Sequence, residues 1–543
     1  MKNTNNTNES DVRTAVSEAA GASLLIEETL NEVTAKATTA GTTDARADGT
    51  DGEGAIGRWQ RWIRTRPTFT AEGDGLGRRV LLISYIFPPT GGSGTQRPSK
   101  LAKHLHEFGW QVEVLTAGHQ RFPWIDHSLC DDIPARCQVH RVAGHEPACL
   151  ARRVIGIARR FYRMTAILLK RASSDETGER IFGKTWSWIE DRLYWRFAAV
   201  TARMGLGNGE SLWVRPAARA AVRHHRARPF DMIVSTGPPH LAHKVAMRIA
   251  RKTSVPWVAE MRDPLVSDYD LQKPLSRHVA AMRKLEAAIL RRAAKVVVTS
   301  AAFADDLRAR FPHRVSTDIR TITNGFDRDD IFKAGSEFAS HTGETHRCVF
   351  VTAGAFYGRN KLTRLTEPMQ RVLDRHPEWR GKVELVVAGK LDADQQAYWR
   401  REKRSWIRFM GYLDHGSAIG VLARSSCAVM TLPDCQHSRH CIPGKTFELI
   451  SLPKHLLALV PSGSETERIV HGADAATTAP LEDAVQVEAA IEKVVADHFA
   501  GRLLHERTWS NLDHYDRRSI AAAMADCLSS VVDETRCSFS SDT

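Results

Sequence analysis

The 543-residue sequence has no Cys-x-x-Cys pair among its nine cysteines, and nine is an odd, sparse number. A disulfide-stapled scaffold is therefore excluded, and free thiols in a reducing compartment are expected. It lacks any stretch of about 18 consecutive apolar residues, so no bilayer-spanning helix is expected. The Met1-Lys2-Asn3-Thr4-Asn5 start lacks the basic-then-apolar pattern of a secretory signal. Internal repeats are absent too, which excludes solenoids and propellers. Apolar residues make up 42 % of the chain, which excludes a wholly disordered or collagenous protein.

Charge is what the chain has in excess, and it is uneven. Residues 1–56 hold ten acids and four bases, so the net +13 of the chain leaves +19 on the remainder. A basic body suits anionic partners such as nucleotide phosphates or lipid headgroups. Nucleic acid is not expected, because charge alone argues for it. Residues 1 to about 75 are rich in Thr, Asn, Ala, Gly and acids and read as a disordered tail, with a short helix admissible at 23–34.

Order begins at Arg79. Val80-Leu81-Leu82-Ile83 is a continuous β-type run, as in a parallel strand covered on both faces. It is followed by the turn-forming Pro88–Gly94, a helical pattern from Gln96 to Phe108, and a second strand, Val112–Leu115. Strand-like runs recur at 232–234, 255–259, 295–298 and 319–322. After a break near 330–345 they recur again at 349–351, 383–387, 407–409, 428–430 and 456–460. Two α/β series argue two Rossmann-like, doubly wound domains: 76–335, with a helical insertion at 150–225, and 336–510, followed by a terminal segment at 511–543. Within the insertion Leu150, Val154, Ile157, Phe161, Met164 and Leu168 share one helical face, flanked by Arg152, Arg153, Arg159, Arg160, Arg163, Lys170 and Arg171. Such a helix either packs in the core or lies on an anionic membrane.

Several residues are placed for chemistry. The loop Gly91-Gly92-Ser93-Gly94 sits between strand and helix, where backbone N–H groups approach an anion or sugar, although it lacks the dinucleotide spelling G-x-G-x-x-G. Arg359 and Lys361 follow the first strand of the second series, where cations neutralise a departing diphosphate. In Pro443-Gly444-Lys445-Thr446-Phe447-Glu448, Pro443 suits a first helical turn and Lys445 and Glu448 share a face. The Glu448 carboxylate, an acceptor only, suits a ribose diol. Cys435, His437, His440 and Cys441 carry zinc-ligand chemistry, but their spacing is too compressed for a finger; Asp392-Ala393-Asp394 has the D-x-D form that also arises at a helix start. No metal is expected at either.

In order, "LLISYIFPPTGGSGTQRPSKLAKHL", "DMIVSTGPPHLAHKVA", "PWVAEMRDP", "TITNGFD", "GAFYGRNKL", "VELVVAG", "IRFMGYLDHGSAIGVLARSSCAVMTL" and "IPGKTFELI" resemble segments of the family-4 glycosyltransferases of the GT-B fold, over about residues 79–500. The resemblance implies an acceptor domain and a nucleotide-sugar domain facing a cleft, with a last helix near Arg518–Val531 crossing back. It implies a cytoplasmic, retaining, metal-independent enzyme without a bound cofactor, working on a nucleotide diphosphate sugar and a glycan or lipid-linked acceptor, and it admits work at an anionic membrane face. Residue by residue it assigns Gly91, Gly92 and Gly94 to the loop over donor and acceptor, and His240 to the transferred sugar. Arg359 and Lys361 fall to the diphosphate, the Gly444–Lys445 helix start to the phosphates, and Glu448 to the ribose. Arg262 and Asp263 fall at a strand's C-terminal end, beside the catalytic centre. Many members carry a further Glu eight residues before the one matching Glu448; here that position is His440, so the usual sugar-hydroxyl contact must be made otherwise. A nucleotide-sugar epimerase, a sugar phosphorylase or a non-catalytic nucleotide-sugar or membrane binder would share the same plan.

Overall fold

The computed structural model describes residues 55–65, 77–118, 125–143, 210–266, 277–312, 319–335 and 346–540. The Leu150–Leu168 stripe and the first 54 residues lie outside them.

The first domain is a seven-stranded sheet in the order β3-β2-β1-β4-β5-β6-β7. Its strands are Arg78–Ser84 (β1), Trp110–Ala117 (β2), Gln138–Val142 (β3), Met232–Gly237 (β4), Trp257–Met261 (β5), Lys295–Val298 (β6) and Ile319–Thr321 (β7). The second domain is a six-stranded sheet in the order β10-β9-β8-β11-β12-β13. It comprises Cys348–Phe356 (β8), Val383–Leu391 (β9), Ile407–Gly411 (β10), Cys427–Thr431 (β11), His455–Leu459 (β12) and Ala476–Ala479 (β13). All pairings within both sheets are parallel. The central strands β1, β4, β5 and β11 are buried along nearly their whole length, which is why they read as unbroken apolar runs. In each sheet the chain reverses direction of build-up next to the first strand, between β1 and β4 and between β8 and β11. Ligands of open α/β sheets bind beyond the strand ends at such switch points.

The helix Arg517–Ser540 returns from the second domain to the first, as the family resemblance implies. Ile520, Ala521, Met524, Leu528 and Val531 are buried in one core cluster with Val80, Leu82 and Val114 of the first sheet. The helical insertion resolves at its end into Val214–Ala227, whose Val214, Ala217, Ala218 and Ala221 pack on the same core as β1 and β4.

The tail expected over 1–75 is not featureless. Residues Ala55–Arg64 form a helix with basic residues in its last turn, where they complement the helix dipole. Trp59 (0 % exposed) and Ile63 join the core of the second domain, with Phe447 and Ile450. The Trp59 indole N–H donates to the Ser451 carbonyl at 2.9 Å. Trp62 stacks on Trp509 at 5.1 Å and lies under the Arg328 guanidinium at 4.3 Å. Replacing Trp59 by Ala removes a fully buried indole and should cost about 3–5 kcal/mol. Urea unfolding followed by circular dichroism should show an earlier midpoint; an unchanged midpoint would mean the helix is not docked in solution.

Candidate active site between two switch points

In the first domain the loop after β1 leads into the helix Ser93–His104 through Gly92, whose φ of 95° is a glycine conformation. No side chain caps this helix start, where the Thr95 N–H donates to the Gly92 carbonyl at 3.1 Å. A Cβ on Gly91 would lie 3.2 Å from both the Asp126 Cβ and the Tyr412 hydroxyl, and Tyr412 belongs to the second domain. The glycine loop therefore meets the opposite domain across the cleft.

Beyond β4, His240 stands at the start of the helix Leu241–Thr253 with its ring stacked on His243 at 5.6 Å. Burial lowers both imidazoles, His240 well below its ordinary value and His243 to about 3, and the Arg262 charge adds to the effect. Both rings are thus neutral at physiological pH. The buried His243 Nδ1 bonds the Ser235 hydroxyl at 2.8 Å, whereas His240 Nδ1 has no partner among the described residues. Gly237 is obligatory here, because a Cβ would come within 2.9 Å of both imidazoles.

Arg262 does not reach into the cleft as a catalytic side chain. Its guanidinium is spent on three backbone carbonyls: Gly94 at 2.7 Å, Gly237 at 3.2 Å, and Pro238. It fastens the glycine loop to the loop bearing His240, so its role is positional. The adjacent Asp263 carboxylate instead meets His437 and Cys441 of the second domain, with the three ligand-type atoms within 4.8 Å of one another.

In the second domain Gly354 (φ 130°) and Gly389 (φ 153°) let β8 and β9 approach so closely that a Cβ on Gly389 would overlap the Gly354 carbonyl. The Lys445 ammonium lies over this bare backbone, 3.6 Å from where a Gly354 Cβ would be. Burial brings Lys445 down to about 8, with Glu448 opposing the shift. The helix Gly444–Ser451 starts behind Pro443 with no side-chain cap. Of the two cations expected after β8, Arg359 is exposed, and Lys361 lies 3.5 Å from Asp392. Asp392 itself caps the helix Ala393–Arg401 through the Gln395 N–H at 3.0 Å, which accounts for the D-x-D string without a metal.

Glu448 and Lys445 do not form a direct ion pair. The Glu448 carboxylate lies 3.8 Å from His415 Nε2, at a small pocket also lined by Lys100, Asp327, Asp330 and Arg517. The Lys100 ammonium sits among Asp132, Asp330 and Asp327 at 2.7, 2.8 and 3.0 Å, filling the place a cation would take. Sequence reasoning missed this network, although its signal was present: Lys100, Lys103 and His104 share a helical face, and Asp327, Asp329 and Asp330 follow Asn324-Gly325. The Glu448 and Asp330 carboxylates hold His415 up, to about 9. On the other side of the cleft the Ser300 hydroxyl donates to the His440 carbonyl, and Glu465 accepts from the N–H groups of Ala301 and Ala302 at 3.1 and 3.3 Å.

Residues 91–325 match the family model described as a glycosyl transferase 4-like domain. No curated protein matches the chain. Among solved structures, sucrose-phosphate synthase from Thermosynechococcus elongatus is similar at 14 % identity and a TM-score of 0.55, over 84 % of this chain and 100 % of that one. Trehalose 6-phosphate synthase from Burkholderia multivorans follows at 15 % and 0.52, over 85 % and 99 %. A glycosyltransferase from Rickettsia africae is similar at 10 % and 0.53, over 84 % and 99 %. The structures show the fold, and the class that fold and matched domain define is the GT-B glycosyltransferases. Residues 91–325 match the glycosyl transferase 4-like domain, and the resemblance to GT-B glycosyltransferases read from the sequence is borne out.

A raised histidine pKa has a consequence for stability. His415 holds a proton more tightly folded than unfolded, so its contribution is fully present below its ordinary value of 6.5 and is lost as pH rises through about 9. Thermal melts between these limits should fall with pH, and His415→Gln should flatten that slope. An unaltered slope would place the titration elsewhere.

Proposed function

We propose that the protein transfers a sugar from a nucleotide diphosphate sugar to a hydroxyl of a glycan or lipid-linked acceptor, with retention of configuration. The observation that carries this reading is the convergence of four loops from two switch points. Beyond its switch point the first sheet presents the glycine loop and His240, and the second presents the loop after β8 and the Gly444–Lys445 helix start; the two sets of loops approach each other where Gly91 nears Tyr412 and Asp263 meets His437 and Cys441. In this reading the diphosphate lies on the Gly444 N–H groups beside the Lys445 ammonium, with Arg359 and Lys361 at the rim. Charge that grows on the leaving diphosphate is met by fixed donors that need no reorganisation. Glu448 accepts from the ribose diol, giving up its long contact with His415. His240, neutral, hydrogen-bonds a hydroxyl of the transferred sugar, and Arg262 holds its loop and the glycine loop in register. Acceptor attack comes from the face the diphosphate leaves, and the diphosphate takes the proton. Cations of the chain supply the charge stabilisation, so the transfer step calls on no metal or other cofactor.

Thermal-shift screening against nucleotides and nucleotide sugars should find a stabilising donor, because a ligand of the native state stabilises by mass action. Glu448→Gln should weaken that donor roughly tenfold or more, the range of a hydrogen bond to a charged partner. Wild-type affinity should also fall as pH rises through about 8, where Lys445 loses its proton, and Lys445→Arg should abolish this dependence. Full donor affinity in both Glu448→Gln and Lys445→Ala would remove this seat from the mechanism.

The acceptor is proposed to lie at an anionic membrane surface. No helix among the described residues is long and apolar enough to cross a bilayer. Three helices packed on one face of the first sheet, Val214–Ala227, Leu241–Thr253 and Arg277–Arg292, hold one acid, the buried Glu286. Arg215, Arg219, Arg223, Arg226, Arg251 and Lys252 are exposed on the first two. Each base near an anionic surface contributes about 1 kcal/mol, enough together for peripheral attachment. The protein should float with anionic vesicles at low salt, release as salt rises, and ignore neutral vesicles. Changing these six residues to Gln should abolish flotation and spare nucleotide binding; a wild type that stays in solution at low salt refutes the membrane reading.

A further inference from the structure

Asp263, His437 and Cys441 come from opposite domains. Asp263 follows β5 in the first domain, while His437 lies in the helix Gln436–His440 of the second and Cys441 follows that helix. Cys441 Sγ is 3.8 Å from His437 Nδ1, and a carboxylate oxygen of Asp263 completes a triangle in which no side exceeds 4.8 Å. Tetrahedral zinc with Zn–S of about 2.3 Å and Zn–N or Zn–O of about 2.0–2.2 Å needs ligand edges of about 3.3–3.6 Å, so contraction by about 1 Å at the widest side completes the geometry.

We propose that these three residues bind a zinc ion that ties the two domains together, with water in the fourth position. The donor set is one thiolate, one neutral imidazole and one carboxylate, a mixture that suits zinc better than magnesium or calcium, which prefer all-oxygen shells. Its charge of −2 is matched by a divalent ion. Binding releases the Cys441 thiol proton to solvent as the Zn–S bond forms, with no redox change.

The surroundings fix the ligands independently of the ion. The Ser300 hydroxyl holds the His440 carbonyl, one residue before Cys441, and Glu465 caps the helix Ala301–Arg310 of the first domain. Asp263 adjoins Arg262, which is anchored on three carbonyls. Of the other members of the sequence cluster, Cys435 Sγ lies 3.1 Å from the Ser438 hydroxyl. The compressed run 435–441 thus gives two ligands, and the third comes from 174 positions upstream of His437. Because Arg262 holds the glycine loop, an ion on Asp263 would link that loop to the segment leading into the Gly444 helix start, and so favour the closed cleft.

The test uses the full chain, stripped with chelator and then given zinc alone. The wild type should retain about one zinc per chain through gel filtration and melt at higher temperature with zinc than without. Cobalt in place of zinc should give a thiolate-to-metal charge-transfer band. Asp263→Asn should lose zinc retention and the zinc-dependent rise in melting temperature, and Cys441→Ser should lose the band as well. Should the buried Cys441→Ser fail to fold, Asp263→Asn together with His437→Ala, both less buried, carries the decision. A wild type that retains no zinc, or an Asp263→Asn variant that retains it as the wild type does, overturns the proposal.

Discussion

The geometry of the cleft depends on one backbone crossing. The chain passes from the first domain to the second through Thr323-Asn324-Gly325-Phe326 and returns through Tyr515-Asp516-Arg517. The Phe326 N–H donates to the Tyr515 carbonyl at 3.0 Å, and the Arg517 N–H to the Phe326 carbonyl at 2.8 Å. The two connections are hydrogen-bonded to each other, so neither swings alone. Gly325 is what permits the contact: a Cβ there would sit 1.9 Å from the Tyr515 carbonyl oxygen. Around the crossing, the buried Lys100 ammonium is desolvated and its three carboxylates compensate, holding it above its ordinary value. Such a buried cluster is weak evidence for net stability, but removing one partner strands the rest, typically at 3–5 kcal/mol. Its evident effect is on register, since Lys100 lies on the first-domain helix while Asp327 and Asp330 belong to the connection.

The cleft itself keeps its charges apart by kind. On the first-domain side the imidazoles of His240 and His243 are neutral, because burial and the Arg262 charge both act against protonation. On the second-domain side positive character is concentrated at Lys445 and the uncapped helix start. A sugar is neutral and a diphosphate is not, and this division fits the two halves of one donor molecule. Arg262, the cation nearest His240, is engaged by the carbonyls of Gly94, Gly237 and Pro238, so its charge is used within the first domain.

Much of this was legible in the sequence because parallel strands buried on both faces leave unbroken apolar runs, and ligand loops follow those runs. The two strands that escaped notice both lie at sheet edges: Gln138–Val142 is half-exposed, and Ala476–Ala479 is short and built of Ala and Thr. The helix Ala55–Arg64 was hidden by its Gly- and acid-rich flank, although Trp59, Trp62 and Ile63 stand at helical spacing. Arg262 was singled out for chemistry because sequence shows a cation at a strand end and cannot show carbonyl partners at 94, 237 and 238. Likewise Arg359 and Lys361 looked like the phosphate cations by order along the chain, whereas Lys445 is the one placed over the bare Gly354 backbone, a contact set by a glycine's missing side chain.

Glu448 joins these levels. Its position was read from a motif and its partner, His415, was not, since a histidine 33 residues upstream carries no local signal. His415 faces Glu448 at 3.8 Å and Asp330 at 3.6 Å, so one imidazolium is shared between Glu448, the proposed nucleotide seat, and the connection between the domains. A ribose bound at Glu448, as proposed, would leave the imidazolium to Asp330 alone. Asp330 is already paired with Lys100 at 2.8 Å, so the added claim on it redistributes charge at the crossing itself. In the proposed donor seat, occupancy and the charge balance at the crossing are therefore linked, because the same proton serves Glu448 and Asp330.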